Sequence, residues 1–95
     1  MKLVVIGGGS TYTPELIDGI LQRRRRLPIS EIVLVDPNLE RVATVGEFAK
    51  RMIAFKQEKI SLSWIADAKT AIQGADFVVS QFRVGSQLAR HRDEL

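Results

Sequence analysis

At 95 residues, with 45% apolar and 26% charged side chains and a net charge of +3, the chain has room for one small domain with a buried core. It carries no cysteine, which excludes a disulfide framework and a thiolate metal site within these residues, and no apolar stretch long enough to span a bilayer as a helix. Most of the excess positive charge lies in one run, Arg23 to Arg26, without interleaved aromatic residues or a groove-reading motif, so nucleic acid is set aside as a partner.

The first predicted element is a strand. Leu3, Val4, Val5 and Ile6 form an apolar run with no polar alternation, the pattern of a parallel strand covered on both faces. Gly7, Gly8 and Gly9 then let the backbone turn sharply and approach a ligand closely, and Ser10 and Thr11 add hydroxyl groups. Thr13 reads as the N-cap of a helix with Pro14 at its first position, so the unpaired amides of that helix end face whatever the glycines cradle. Such an end favours an anion, most simply a pyrophosphate. Gly7 and Gly9 match the start of a GxGxxG fingerprint, but Tyr12 replaces the third glycine, and a tight turn without a ligand stays open as the alternative.

Leu16, Ile17, Ile20 and Leu21 make one apolar helix face, and the arginine run falls in the last turn, where cations suit the dipole. A second apolar strand spans Glu31 to Val35 and ends in Asp36. An acid at that strand end accepts hydrogen bonds from the adenosine ribose in a dinucleotide site, and it would repel a ribose phosphate, which favours NAD over NADP. It arrives later than the usual interval of about 20 residues, a delay that the long first helix explains. The alternative for Asp36 is a turn residue before Pro37 and Asn38.

Asn38 caps a second helix running to about Gln57, with Val42, Val45, Ala49, Met52 and Ile53 on its core face. Ile60, Leu62 and Trp64 alternate with Ser61 and Ser63, which predicts a third strand at a sheet edge. Asp67 caps a short helix that stops at Gly74, Asp76 leads structurally into a fourth strand over Phe77 to Phe82, and Ser86 onward looks helical. Arg83, Val84 and Gly85 follow the carboxyl end of that fourth strand, the ligand side of an open parallel sheet. The order strand, helix, strand, helix, strand, helix, strand predicts an α/β fold, a Rossmann-like parallel sheet with helices on both faces. A complete two-halved dinucleotide fold is longer, and HRDEL ends without a capping signal. The expectation is therefore an incomplete, amino-terminal portion of a larger doubly wound domain. The start MKLVVIGGG is too short an apolar run for a signal peptide, so the expected protein is soluble and cytoplasmic.

IGGGSTYTPEL at Ile6 to Leu16, LVD at Leu34 to Asp36, and GADFVVSQFRVG followed by AR and DE at Gly74 to Glu94 resemble the amino-terminal part of the family 4 glycoside hydrolases. Within that family the likeness is greatest to the 6-phospho-beta-glucosidases, enzymes several times longer than this chain. The resemblance implies NAD-dependent chemistry outside the usual paired-carboxylate scheme. Hydride leaves carbon 3 of a phosphorylated sugar, a base takes the acidified proton on carbon 2, the glycosidic bond breaks by elimination, water adds and the hydride returns. A divalent metal, usually Mn2+, is implied, held by a cysteine and a histidine outside this segment.

Carried over by residue, the resemblance gives Gly7, Gly8, Gly9, Ser10 and Thr11 to the pyrophosphate and Asp36 to the ribose. Arg83 would face the active site, and Arg90 would contact the substrate, a phosphorylated disaccharide or glucoside, at its phosphate. The alternative for Arg90 is an i, i+4 partner of Glu94 on a solvated helix face. His91, the sole histidine, is no ligand in the motif. The segment alone is expected to be inactive, with no catalytic residue and no metal ligand in it, and the full-length enzyme to be a homo-oligomer with neither nucleic-acid nor membrane partners. An NAD-dependent 2-hydroxy acid dehydrogenase-like oxidoreductase and a non-catalytic NAD-sensing module are the rival functions.

Overall fold

A computed structural model describes residues 1–23, 26 and 28–81 of the chain. Four parallel strands, β1 (Lys2–Ile6), β2 (Glu31–Val35), β3 (Ser61–Ile65) and β4 (Phe77–Ser80), line up in the order β3-β2-β1-β4. Between them run α1 (Thr13–Gln22), α2 (Leu39–Phe55) and the short α3 (Ala68–Ile72). The first two crossovers step one way from β1, and the third returns to its other side. The strand order therefore reverses at β1, and in open parallel sheets ligands bind at the carboxyl edge beside such a reversal.

The solid apolar runs of β1 and β2 make sense in this setting, because each strand is covered twice. Leu3, Val5, Ile32, Leu34 and Leu62 point to one face, where Ile17, Ile20 and Leu21 of α1 and Val42, Ala49 and Ile53 of α2 meet them. Val4, Val33 and Val35 point to the other face and pack with Ala71 of α3. In β3 only Leu62 is buried, with Ser61 and Ser63 exposed, and the strand lies at an edge as its alternation predicted. Asp76 has the structural role expected of it: its carboxylate accepts from the Lys2 amide at 2.8 Å, at the amino end of β1.

Several boundaries differ from the sequence expectation, each for a local reason. Thr13 is not the N-cap of α1; Tyr12 holds that position without a side-chain cap bond, because the Thr13 hydroxyl donates instead to the Gly8 carbonyl at 2.9 Å. The arginine run does not occupy the last turn of α1, which ends at Gln22; Arg23 stands at the C-cap and donates to the Gly19 carbonyl at 3.1 Å. Asn38 caps α2 as expected, accepting from the Arg41 amide, but the helix ends at Phe55 because Gln57 turns left-handed at φ +59°. β4 is a strand to Ser80; Phe82 and the helix expected from Ser86 lie outside the described residues.

Gly46 lies on the inner face of α2, which sequence periodicity overlooked. A Cβ there would run into the ring of Trp64, over which the Lys50 ammonium sits 5.0 Å from the centroid. At an open helix position glycine to alanine stabilises by about 1 kcal/mol. Here Gly46→Ala is expected to do the reverse, lowering stability by about 1 to 3 kcal/mol through overpacking. A thermal or urea melt reads this directly, and a raised midpoint would contradict the α2–Trp64 contact.

Candidate functional site

The turn after β1 is built by hydrogen bonds to the end of β2. The amides of Gly7 and Gly8 both donate to the Val35 carbonyl, at 2.7 and 2.9 Å, and the Gly9 amide donates to Asp36 Oδ2 at 2.9 Å. The Ser10 amide closes back on the Gly7 carbonyl at 3.0 Å. Each glycine is demanded by a neighbour on the protein side. A Cβ at Gly7, where φ is +79°, would strike the Gln81 carbonyl; one at Gly8 would lie 2.6 Å from Leu34 Cβ; one at Gly9 would lie 2.6 Å from Asp36 Oδ2. The glycines thus bring the turn down onto β2 and β4, and leave its outer side, with exposed Thr11 and half-exposed Tyr12, toward solvent.

Asp36 sits where the sequence put it, at the carboxyl end of β2 beside the glycine turn. Its side chain is only 4% exposed. Oδ1 accepts from the Asn38 amide at 2.9 Å, while Oδ2 accepts from Gly9 and, at 3.4 Å, from Arg41 Nη2. Burial pushes this carboxyl up, but the bonds from Asn38, Gly9 and Arg41, with the charge of Arg41, outweigh burial and hold it below its ordinary value. The group is therefore an ionised acceptor fixed in place before any ligand arrives.

The structure brings Gly7, Gly8, Gly9, Ser10, Thr11 and Asp36 together at one end of the sheet and divides the work among them. Ser10 is 2% exposed and its hydroxyl accepts from the Tyr12 amide at 3.1 Å, so it braces the turn. Arg83, Arg90 and His91 lie outside the described residues. Two residues at this edge were not singled out from sequence. Arg41 reaches Asp36 from the first turn of α2, and its signal was its position five residues past the acid, one helical turn beyond the cap. Gln81, at the end of β4 next to Gly7, has a buried Oε1 with no hydrogen-bond partner among the described residues. Only its place in the QFRVG motif marked it.

An acceptor fixed beside a glycine turn and a helix start, at the reversal of a parallel sheet, fits the adenosine half of a dinucleotide. By contrast, a hollow lined by Leu3, Leu16, Ile20, Ile29, Phe77 and Val79 is wholly apolar and offers such a ligand nothing to bond. Among the described residues no three His, Cys, Asp or Glu side chains gather to hold a metal ion, and no helix is long and apolar enough to cross a membrane.

Fold and site together define a Rossmann-like nucleotide-binding unit. Comparison with known proteins then fixes the family: the sequence profile of the family 4 glycosyl hydrolases matches residues 2–95, and the chain belongs to that family. It is 45% identical to a probable 6-phospho-beta-glucosidase of Bacillus subtilis, over 99% of this chain and 22% of that protein. It is 41% identical to a 6-phospho-beta-glucosidase of Escherichia coli, over 99% of this chain and 21% of that protein. Among solved structures it superposes on a Thermotoga maritima 6-phospho-beta-glucosidase holding manganese, NAD+ and glucose-6-phosphate. That match has a TM-score of 0.79 and 34% identity, covering 87% of this chain and 20% of the other. A 6-phospho-alpha-glucosidase from gut microorganisms, in complex with NAD and Mn2+, gives a TM-score of 0.81 at 31% identity, covering 98% of this chain and 22% of the other. The chain spans about a fifth of the length of the curated relatives it matches.

Because Asp36 has a lower pKa folded than unfolded, where 3.8 is its ordinary value, its bonds stabilise the fold fully above that value. The contribution is lost as pH falls through the folded value. Asp36→Asn is therefore expected to be less stable than the parent at neutral pH, with the gap closing below pH 3.8. Melting curves across that range check this; a gap that stays constant down to about pH 2 would contradict it.

Proposed function

We propose that residues 1–95 are the amino-terminal NAD-binding part of a longer cytoplasmic enzyme that hydrolyses 6-phospho-beta-glucosides with NAD and a divalent metal, Mn2+. The observation that carries this is the Asp36 carboxylate, ionised and held at the end of β2 against Gly9 of the turn. The Bacillus subtilis and Escherichia coli relatives support the beta-glucoside substrate, and the NAD, manganese and glucose-6-phosphate in the Thermotoga maritima structure support the cofactors and the sugar phosphate.

In this proposal Asp36 accepts hydrogen bonds from the adenosine ribose hydroxyls. The start of α1, with Thr11 on the outer side of the turn, faces the pyrophosphate, and Gly7, Gly8, Gly9 and Ser10 hold that surface in shape. Gln81 Oε1 offers an acceptor on the β4 side of the same edge. Bound NAD supplies a reversible hydride acceptor for carbon 3 of the sugar, so that elimination across carbons 1 and 2 becomes possible and no net oxidation results. Arg83 is assigned to the active site on the family resemblance alone. Arg90 supplies paired donors to the sugar phosphate, for which a guanidinium is suited by its planar fork and permanent charge. The metal ligands and catalytic base belong to the part of the enzyme outside these residues.

Asp36→Ala in the complete enzyme is expected to weaken NAD binding by about 1.5 to 3 kcal/mol, the range for a hydrogen bond to a charged group. Calorimetric titration without substrate measures it. Unchanged affinity would remove Asp36 from the ribose site.

A further inference from the structure

The carboxylate assigned to the ribose is one corner of a closed ring of hydrogen bonds. Asp36 Oδ1 accepts from the Asn38 amide at 2.9 Å, Asn38 Oδ1 accepts from the Arg41 amide at 3.0 Å, and Arg41 Nη2 returns to Asp36 Oδ2 at 3.4 Å. The end of β2 and the start of α2 are thereby tied through one side chain. From the other side the Gly9 amide donates to Oδ2 at 2.9 Å. A Cβ at Gly9 would lie 3.0 Å from Arg41 Nε, so the guanidinium rests against the glycine turn as well.

Within this ring Arg41 has a task that neither amide can perform. The amides of Asn38 and Gly9 offer dipoles, whereas Arg41 is the only charged side chain acting on Asp36 among the described residues. A carboxylate has about four acceptor sites. Oδ2 holds two bonds and Oδ1 one, which leaves the spare site on Oδ1, and the bond from Arg41 opposes any turn of the carboxyl that would exchange the two oxygens. The arginine side chain is 55% exposed where that of Asp36 is 4% exposed, so the constraint is applied from the solvent side and truncating Arg41 removes no core packing.

We propose that Arg41 is a positioning residue of the nucleotide site: without touching the dinucleotide, it holds the Asp36 carboxylate turned so that Oδ1 accepts from the adenosine ribose. The inference rests on the ribose role proposed for Asp36. Arg41 makes one bond to the carboxylate and no fork of two, so the point charge of a lysine can stand in for it.

Calorimetric titration of NAD into the complete enzyme, without substrate, tests this with Asp36→Ala, Arg41→Ala, the double variant and Arg41→Lys. Arg41→Ala should raise the Kd for NAD by about five-fold to twenty-fold. In the Asp36→Ala background the same change should cost less than about two-fold, because a residue acting through Asp36 has nothing left to position. Arg41→Lys should stay within about three-fold of the parent. Unchanged affinity in Arg41→Ala, losses that simply add in the double variant, or a lysine variant as weak as the alanine one would overturn the proposal. A loss in Asp36→Ala without one in Arg41→Ala overturns this inference alone. If Asp36→Ala itself leaves NAD affinity unchanged, the ribose role falls and takes this inference with it.

Discussion

The hydrogen bond from the Gly9 amide to the Asp36 carboxylate, 2.9 Å long, joins the first crossover of the sheet to the end of the second strand. Around it the fit is tight. Two further amides of the turn converge on the Val35 carbonyl, and a side chain at Gly8 or Gly9 would collide with Leu34 or with Asp36 itself. Burying a carboxylate costs several kcal/mol unless hydrogen bonds replace its water. Gly9, Asn38 and Arg41 do so from three separate pieces of backbone and side chain. The acceptor is consequently rigid, and a ligand that meets it does not have to order it first.

This arrangement changes what the three glycines are for. A glycine-rich turn invites the view that its backbone is bare so that phosphate can come close. Here the missing side chains all point into the protein, toward Gln81, Leu34 and Asp36. Their absence lets α1 start low against the carboxyl edge, with the Thr13 hydroxyl tied to the Gly8 carbonyl. Closeness to a ligand follows from that packing at second hand, because the outer side of the turn is what remains exposed.

Much of this was legible in the sequence because it depends on local pattern. Unbroken apolar runs gave the two inner strands, and the β2 boundaries, the Asn38 and Asp67 caps and the role of Asp76 follow from residue types whose chemistry acts within a few positions. Family resemblance in the IGGGSTYTPEL and QFRVG stretches led to the family that the profile match establishes. What sequence did not reveal depends on contacts across space. Thr13 looks like a cap until the Gly8 carbonyl is seen to claim its hydroxyl. Gly46 looks like a flaw in a helix until Trp64 is seen beneath it. Arg41 looks like one more charge on an exposed helix face, since a salt bridge to a residue before the cap leaves no periodic trace.

The central claim, that Asp36 is the ribose acceptor of a nucleotide site built by the glycine turn, is tested most directly by a crystal structure of the complete enzyme with NAD bound. The account predicts ribose hydroxyl oxygens within about 3 Å of the Asp36 carboxylate, with the pyrophosphate over the outer side of the turn at the start of α1. An adenosine seated elsewhere, with Asp36 still bonded only to Gly9, Asn38 and Arg41, would contradict it.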